Sequence, residues 1–438
     1  MNSETLKVHA VSLGCPKNRV DTERLLGSLG PAVVPAGNPE FADLVLINTC
    51  GFIRPAVEES VDAILAVQEN IADLDPRPVL AVAGCLVSRY GEELMREMPE
   101  VDIWLNTREL DRWPDLVREA LAREADPDMP RRLSTGPAYA YLKVGEGCSH
   151  NCAFCTIPSI RGPHVSFGLE SLVMEAEDLV EQGVPELVLV GQDVTAYGSD
   201  LPARLQWDLR ALVDRLLPIQ GLEWLRLMYL YPAGLTDELL AFLASAGRPL
   251  LPYFDIPLQH AHPDVLKSMG RPFARDPRRV IDRVRKHFDA PALRTSIIVG
   301  YPGETDAHFD ALCDFVRETR FTHLGVFAYE AEEGTPAAEL PNPVPEGVME
   351  ARREELMRIQ AGISEENLQQ YVGESIDVLV EAPHEDWPGL YTGRAWFQAP
   401  EVDGVVYVSA EPGDVFLPGR IVKAEVQEAK TYDLVALI

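Results

Sequence analysis

The nine residues GCSHNCAFC place Cys148, Cys152 and Cys155 at C-x3-C-x2-C spacing. Three thiolates on one short loop can hold three irons of a [4Fe–4S] cluster, which normally takes four thiolates. No fourth cysteine lies nearby, so one iron is left open to a small molecule. A structural zinc knuckle would instead ask for four protein ligands, usually at two-residue spacings. Cys15, Cys50 and Cys85 form a second, dispersed set, each 35 residues from the next. Each ends an apolar run: KVHAVSLGC, DLVLINTC and PVLAVAGC. In a parallel α/β sheet such strand ends converge on the edge that usually binds ligands. Three cysteines far apart in sequence would then meet, and a second three-thiolate site is the physical consequence. The plain alternative is buried structural cysteine, but three at the same place in three successive units argue for a shared task. Cys313 differs. FDALCDFV sets it beside Phe309, Leu312 and Val316 at helical spacing, as a core residue.

Other polar groups give weaker signals. Gly191, Gln192 and Asp193 follow the run LVLV, and Gly300, Gly303 and Glu304 follow TSIIV. Glycine at a strand end lets backbone N–H groups come close to a ligand, although an ordinary tight turn looks the same. Gln259 and His260, in DIPLQHA, read as structural. The pair Glu332 and Glu333 reads as a solvated loop.

These residues need elements to hold them. Apolar runs at 8–13, 44–47 and 79–83 are each followed by an amphipathic stretch, at 21–29, 56–69 and 92–98. That alternation predicts a doubly wound parallel-sheet domain over residues 6–120. A polar, Pro-containing linker spans 123–135. Strand patterns at 140–144, 187–190, 225–230, 253–256, 295–299 and 323–327 alternate with helical ones. They predict a partial or full βα barrel over residues 134–370, closed by a charged helix at 348–371. Residues 371–438 change to short Val-rich strands with turn residues between them, so a small antiparallel β-barrel is expected.

Composition narrows the partners. The chain carries 69 Asp plus Glu against 39 Lys plus Arg, a net charge of −30. Such a chain repels a polyanion unless it carries a local basic patch, which disfavours nucleic acid as substrate and favours a basic protein. The segment 371–438 alone has 12 acidic and 4 basic residues, a net −8. The loops bearing Glu385 with Asp386, Glu401 with Asp403, and Glu411 with Asp414 are therefore expected to face the partner. Seven cysteines in a long chain do not make a secreted disulfide framework. The polar start MNSETLKVHA is no secretory signal, and no run reaches the ~18 apolar residues of a membrane helix. No membrane partner and a cytoplasmic location are expected.

The C-x3-C-x2-C loop resembles that of the radical S-adenosylmethionine (SAM) superfamily. Together with three upstream cysteines and a small C-terminal barrel of the TRAM type, nearly the whole chain resembles the methylthiotransferase family. The resemblance implies that Cys148, Cys152 and Cys155 hold a [4Fe–4S] cluster that binds and cleaves SAM. It implies that Cys15, Cys50 and Cys85 hold an auxiliary [4Fe–4S] cluster that presents or donates sulfur. It also implies that Gly191, Gln192, Asp193, Gly300, Gly303 and Glu304 lie at SAM-contacting strand ends. SLGCPKNRVDTE, NTCGFIRPAVEES, GCSHNCAFCTIPSIRG and the ending YDLVA look most like the branch acting on an aspartate of small-subunit ribosomal protein twelve. The tRNA-modifying relatives typically carry Gln-Met-Asn where this chain has Pro16-Lys17-Asn18, and Ser in place of Gly51. Where the family usually has Ser-Arg-Pro after the cluster loop, this chain has Ser166-Phe167-Gly168. The implied partners are that ribosomal protein, a reductant such as flavodoxin or ferredoxin, and sulfide or another sulfur source. A tRNA methylthiotransferase and a two-cluster electron carrier without SAM chemistry are the competing readings.

Overall fold

The run LVLINT, residues 44–49, has no polar face and is buried at every position, as a strand covered on both sides must be. The computed structural model that shows this describes residues 5–122, 129–273, 275–410 and 415–438. The chain divides into two compact units. The first runs to Ser134 and takes in Glu146–His150 and Cys155–Val165. The second holds Thr135–Gly145, Asn151–Phe154 and Ser166–Ile438.

In the first unit five strands form one parallel sheet: β1 (Leu6–Ser12), β2 (Val33–Pro35), β3 (Leu44–Thr49), β4 (Val79–Gly84) and β5 (Ile103–Asn106). Their order is β2-β1-β3-β4-β5, the doubly wound arrangement whose ligand edge lies where β1 meets β3. Side chains alternate across the sheet. Leu44 and Leu46 pack with α1 (Pro16–Ser28) and α4 (Trp113–Leu121) through Leu25, Trp113 and Val117. Val45 and Ile47 pack with α2 (Arg54–Ile71) and α3 (Cys85–Glu97) through Ile64, Val67 and Leu86. A five-residue helix, α5 (Ile157–Arg161), also belongs to this unit. Two helices start earlier than the apolar patterning predicts. Pro16 occupies the first turn of α1, where its fixed φ and missing N–H suit a helix start. Cys85 itself opens α3, which kinks at Tyr90.

The second unit contains the six expected parallel strands: β6 (Tyr139–Lys143), β7 (Glu186–Val190), β8 (Trp224–Leu227), β9 (Tyr253–Asp255), β10 (Ala292–Val299) and β11 (His323–Ala328). They form two three-stranded sheets, β8-β7-β6 and β9-β10-β11. A parallel bridge from Leu225 to Leu250 and the hydrogen bond from Leu230 N–H to Asp255 C=O, 2.8 Å, join them in sequence order. The only closed ring among the described residues is the C-terminal one, so the βα part is a partial barrel. α6 (Asp306–Thr319) carries Cys313, and the long α7 (Glu346–Gln369) follows β11.

The C-terminal barrel consists of β12 (Ser375–Pro383), β13 (Leu390–Ala395), β14 (Val406–Ser409), β15 (Ile421–Ala429) and β16 (Leu434–Leu437). The ring closes in the order β12-β13-β14-β16-β15. All neighbours are antiparallel except β14 and β16. Strand direction cannot alternate all the way around an odd ring, so one parallel pair is required.

The loop after β13 overturns one expectation. Together with the end of β13, it forms a segment, residues 394–403, that reaches all six strands of the partial barrel near their N-terminal ends. Arg394 pairs with Glu186 on β7 at 2.6 Å, and Arg226 on β8 donates to Trp396 C=O at 2.9 Å. Tyr141 on β6 donates to Glu401 at 3.1 Å, and Tyr253 on β9 donates to Asp403 at 2.6 Å. Arg294 on β10 and His323 on β11 lie 3.4 and 3.5 Å from Asp403. Asp403 is thus a buried ion-pair centre, its side chain 1% exposed, and not a docking charge. Glu401, although exposed, spends its carboxylate on Tyr141. Of the other expected docking residues, Glu385 and Asp386 are exposed, while Glu411 and Asp414 lie outside the described residues. The plugged N-terminal end leaves the C-terminal strand ends, where βα enzymes carry their sites, for chemistry.

Candidate metal centres

Each of Cys15, Cys50 and Cys85 sits where a strand of the first sheet gives way to a helix. Cys15 is the N-cap of α1, Cys50 directly follows β3, and Cys85 begins α3. Two glycines show how closely these turns pack. A Cβ on Gly14, which has φ of 85°, would lie 2.7 Å from Cys50 Cβ and 3.1 Å from its Sγ. A Cβ on Gly51 would lie 2.8 Å from Leu86 N and 2.9 Å from Cys85 C. Only glycine lets the Cys15 turn rest on Cys50, and the Cys50 turn rest on Cys85. The dispersed set therefore does meet at the sheet edge.

Asn18 ties the turns together. Its Nδ2 donates to Leu13 C=O at 2.9 Å and to Thr49 C=O at 3.0 Å, beside Cys15 and Cys50. Its Oδ1 accepts from Arg161 Nη2 at 2.5 Å, and Arg161 Nε donates to Cys85 Sγ at 3.1 Å. Neither residue was marked by its spacing. Burial would raise the Cys15 thiol, but the Lys17 and Arg161 charges and the amide N–H groups of Asn18 and Lys17 outweigh it and hold it below its ordinary value. Burial pushes Cys50 up to about 12 and Cys85 upward as well. Metal binding takes thiolates and releases protons, and Cys15 is the one thiol of the three whose surroundings favour the thiolate.

The loop set, Cys148, Cys152 and Cys155, lies on an irregular segment between Glu146 and Ile157, with three thiols inside eight residues. Cys148 N–H donates to Gly162 C=O at 3.0 Å. Cys152 Sγ accepts from Arg271 Nη1 at 3.2 Å. Arg271 is buried, with Tyr231 and Phe273 rings 4.7 and 5.1 Å from its guanidinium, and it also donates to Pro257 C=O. None of the seven cysteines forms a disulfide. Burial lifts Cys313, inside α6, to about 11, which fits a core residue. Each remaining set offers three thiols without a fourth, the donor count of a [4Fe–4S] cluster with one iron open.

The remaining sequence candidates sit at C-terminal strand ends. Gly191, Gln192 and Asp193 follow β7, and Asp193 accepts from Thr195 N–H at 2.8 Å and from its hydroxyl at 2.6 Å. A Cβ at Gly191 would meet only ordinary contacts, so packing does not require glycine there. Gly300, Gly303 and Glu304 follow β10. Glu304 is buried, accepts from Gly300 N–H at 2.7 Å and from Arg352 at 3.0 Å, and so holds the turn. His260 is buried and pushed down to about 3 by that burial. Its Nδ1 accepts from His262 N–H at 2.9 Å, which fixes a neutral ring. Glu332, expected in solvent, is buried, and its C=O closes a turn onto Thr335.

Three family patterns cover the chain: the Radical SAM superfamily at residues 142–316, Uncharacterized protein family UPF0004 at 7–106, and the TRAM domain at 372–438. The chain is 62% identical over 434 residues to a ribosomal protein uS12 methylthiotransferase RimO of Nitratidesulfovibrio vulgaris, covering 99% of this chain and 100% of that one. It is 60% identical over 433 residues to the RimO of Oleidesulfovibrio alaskensis, with 99% and 100% covered. It is 44% identical over 431 residues to that of Aquifex aeolicus, with 98% and 96% covered. Among solved structures, the radical SAM methyltransferase TsrM of Kitasatospora setae with tryptophan and a SAM analog shares the fold at a TM-score of 0.55 and 15% identity. That match covers 91% of this chain and 80% of TsrM. No helix among the described residues is long and apolar enough to cross a membrane. With both cysteine sets in place and full-length identity of this order, the chain belongs to the RimO family of radical SAM methylthiotransferases.

Proposed function

We propose that this chain adds a methylthio group to the β-carbon of an aspartate in ribosomal protein uS12, using SAM as both methyl donor and radical source. The observation that carries this reading is the meeting of Cys15, Cys50 and Cys85 at one sheet edge, separate in sequence from the C-x3-C-x2-C loop. A plain SAM-cleaving enzyme needs only the loop, whereas sulfur insertion needs a second site. The names of the full-length relatives supply the acceptor. When bound, the clusters and SAM supply one-electron chemistry and a place for sulfur, which side-chain acids and bases cannot provide.

The residues divide the work. Cys148, Cys152 and Cys155 hold the SAM cluster, with Arg271 orienting Cys152. Cys15, Cys50 and Cys85 hold the auxiliary cluster. The backbone at Gly191 and at Gly300 faces SAM, which accounts for a glycine at 191 that packing does not demand. The domains run over 6–120, 134–370 and 371–438. A reductant such as flavodoxin or ferredoxin, and sulfide or another sulfur source, serve the reaction in the cytoplasm. The net −8 of the C-terminal barrel suits a basic protein and repels tRNA phosphate, so RNA is not the acceptor.

Anaerobic reconstitution is expected to load two [4Fe–4S] clusters per chain, and incubation with SAM and a reductant to yield 5′-deoxyadenosine. A chain that loads both clusters yet makes no 5′-deoxyadenosine would be an electron carrier.

A further inference from the structure

The auxiliary cysteines surround one buried cation. Arg161 ends α5, six residues after Cys155, and its side chain is 1% exposed. Its Nε–H donates to Cys85 Sγ at 3.1 Å, and its Nη2 donates to Asn18 Oδ1 at 2.5 Å. Its Nη1 donates to both oxygens of Glu146 at 2.8 Å, with Asp21 at 3.5 Å. Asn18 carries the connection to the turns of Cys15 and Cys50 through Leu13 and Thr49. One guanidinium thus reaches all three cysteine turns, directly or through one side chain. α5 is itself held in this unit, because Arg108 donates to Ile160 C=O at 3.1 Å and also to Ser159 C=O, and Thr156 donates to Phe52 C=O at 3.3 Å.

A charged N–H aimed at sulfur is matched to a thiolate and poorly matched to a neutral thiol. Hydrogen bonds to cluster sulfurs and nearby charge help set the reduction potential of an iron–sulfur centre. Reduction adds negative charge, so a donor and cation at the sulfur favour the reduced state. Two carboxylates, Glu146 and Asp21, offset the guanidinium charge. The directed N–H to sulfur is therefore the stronger part of the effect, and a lysine cannot reproduce it while also keeping the fork to Asn18 and Glu146.

We propose that Arg161 is the positioning residue of the auxiliary cluster: it fixes Cys85 and the Asn18-linked turns, raises the cluster's reduction potential, and ties the chain leaving the 148–155 loop to that site. The proposal rests on the reading that Cys15, Cys50 and Cys85 hold a cluster.

The test uses the full chain carrying Cys148→Ala, Cys152→Ala and Cys155→Ala, reconstituted anaerobically so that only the auxiliary site loads. Into it go Arg161→Met, Arg161→Lys and, as a milder variant that keeps the guanidinium, Glu146→Gln. Potentiometry followed by electron paramagnetic resonance should give the lowest potential for methionine, with lysine between it and arginine. Iron retention against a chelator should weaken by roughly 10–100-fold for methionine, the usual cost of losing an outer-shell partner. Glu146→Gln leaves one guanidinium charge less compensated, so its potential should move upward. Equal potentials, spectra and iron retention across these proteins would overturn the role of Arg161. A parent protein that binds no iron with Arg161 intact would overturn the cluster reading itself, and the inference with it.

Discussion

Replacing Cys15, Cys50 and Cys85 together by alanine will yield a protein that still cleaves SAM reductively and transfers no sulfur. Each replaced thiol is small and sits at a strand end, and Asn18, Ser60 and Thr49 keep the local backbone bonds of the three turns. The sheet core of Leu44, Leu46, Val45 and Ile47 is untouched. The fold therefore survives, and about half of the iron remains, on Cys148, Cys152 and Cys155. In the proposed division the open iron that meets SAM belongs to the loop set, so 5′-deoxyadenosine should still form. Iron analysis, SAM binding and product analysis on the same preparation check this. Sulfur transfer by the variant, or loss of SAM cleavage while the remaining cluster is intact, would break the proposed division between the two sets.

Glu186→Ala will destabilise the protein by about 3–5 kcal/mol, the usual cost of removing one partner from a buried ion network. Glu186 is wholly buried between Arg226 at 2.7 Å and Arg394 at 2.6 Å. Arg394 also pairs with Glu381 at 2.6 Å, and Arg226 lies 4.6 Å from the Tyr253 ring. Without Glu186 two guanidinium groups face each other away from water. Set against a typical total stability of ~5–15 kcal/mol, this is a large fraction. Denaturant unfolding measures it, and a change under about 1 kcal/mol would show that the plug of residues 394–403 does not depend on Glu186. The pH dependence has a definite sign. Burial would raise Glu186, but Arg394 and Arg226 outweigh it and hold its carboxyl below the ordinary carboxylate range. A depressed folded-state value contributes stability that is complete above the unfolded value, about 4.3, and is lost as pH falls toward the folded one. The parent should therefore weaken in acid, whereas Glu186→Gln should lack that part of the acid sensitivity and be less stable at neutral pH.

The meeting of Cys15, Cys50 and Cys85 could be read from the chain because the one-dimensional pattern records the geometry. A spacing of 35 residues is one strand–helix unit, so equal spacing puts Cys15, Cys50 and Cys85 at equivalent strand ends. The strands were legible for a similar reason, since runs such as LVLINT admit no solvated face. Arg161 was not legible. It lies 76 residues from Cys85, and nothing in PSIRG distinguishes a buried cation from a surface one. Asn18 looks like an ordinary residue of a first helical turn until Arg161 is placed on its side-chain oxygen. Asp403 misled for the opposite reason. A charged residue in a turn before Gly404 reads as solvated, and its burial comes from Tyr253, Arg294 and His323 of the partial barrel. Local composition cannot show a surface that another part of the chain covers. The early starts of α1 and α3 were hidden because Pro16 and the Gly84–Cys85 step look like breaks, although a proline at the first helical position begins a helix.

The most direct measurement of the central claim offers the reconstituted protein both acceptors at once. Purified ribosomal protein uS12 and tRNA are incubated with it, SAM, sulfide and a reductant, and both are analysed by mass spectrometry. The account predicts one methylthio group in place of one hydrogen on a single aspartate of uS12, with the tRNA unchanged and with modification weakened by added salt, as expected for an acidic face meeting a basic partner. A methylthio group on a tRNA adenosine, with uS12 unmodified, would contradict it.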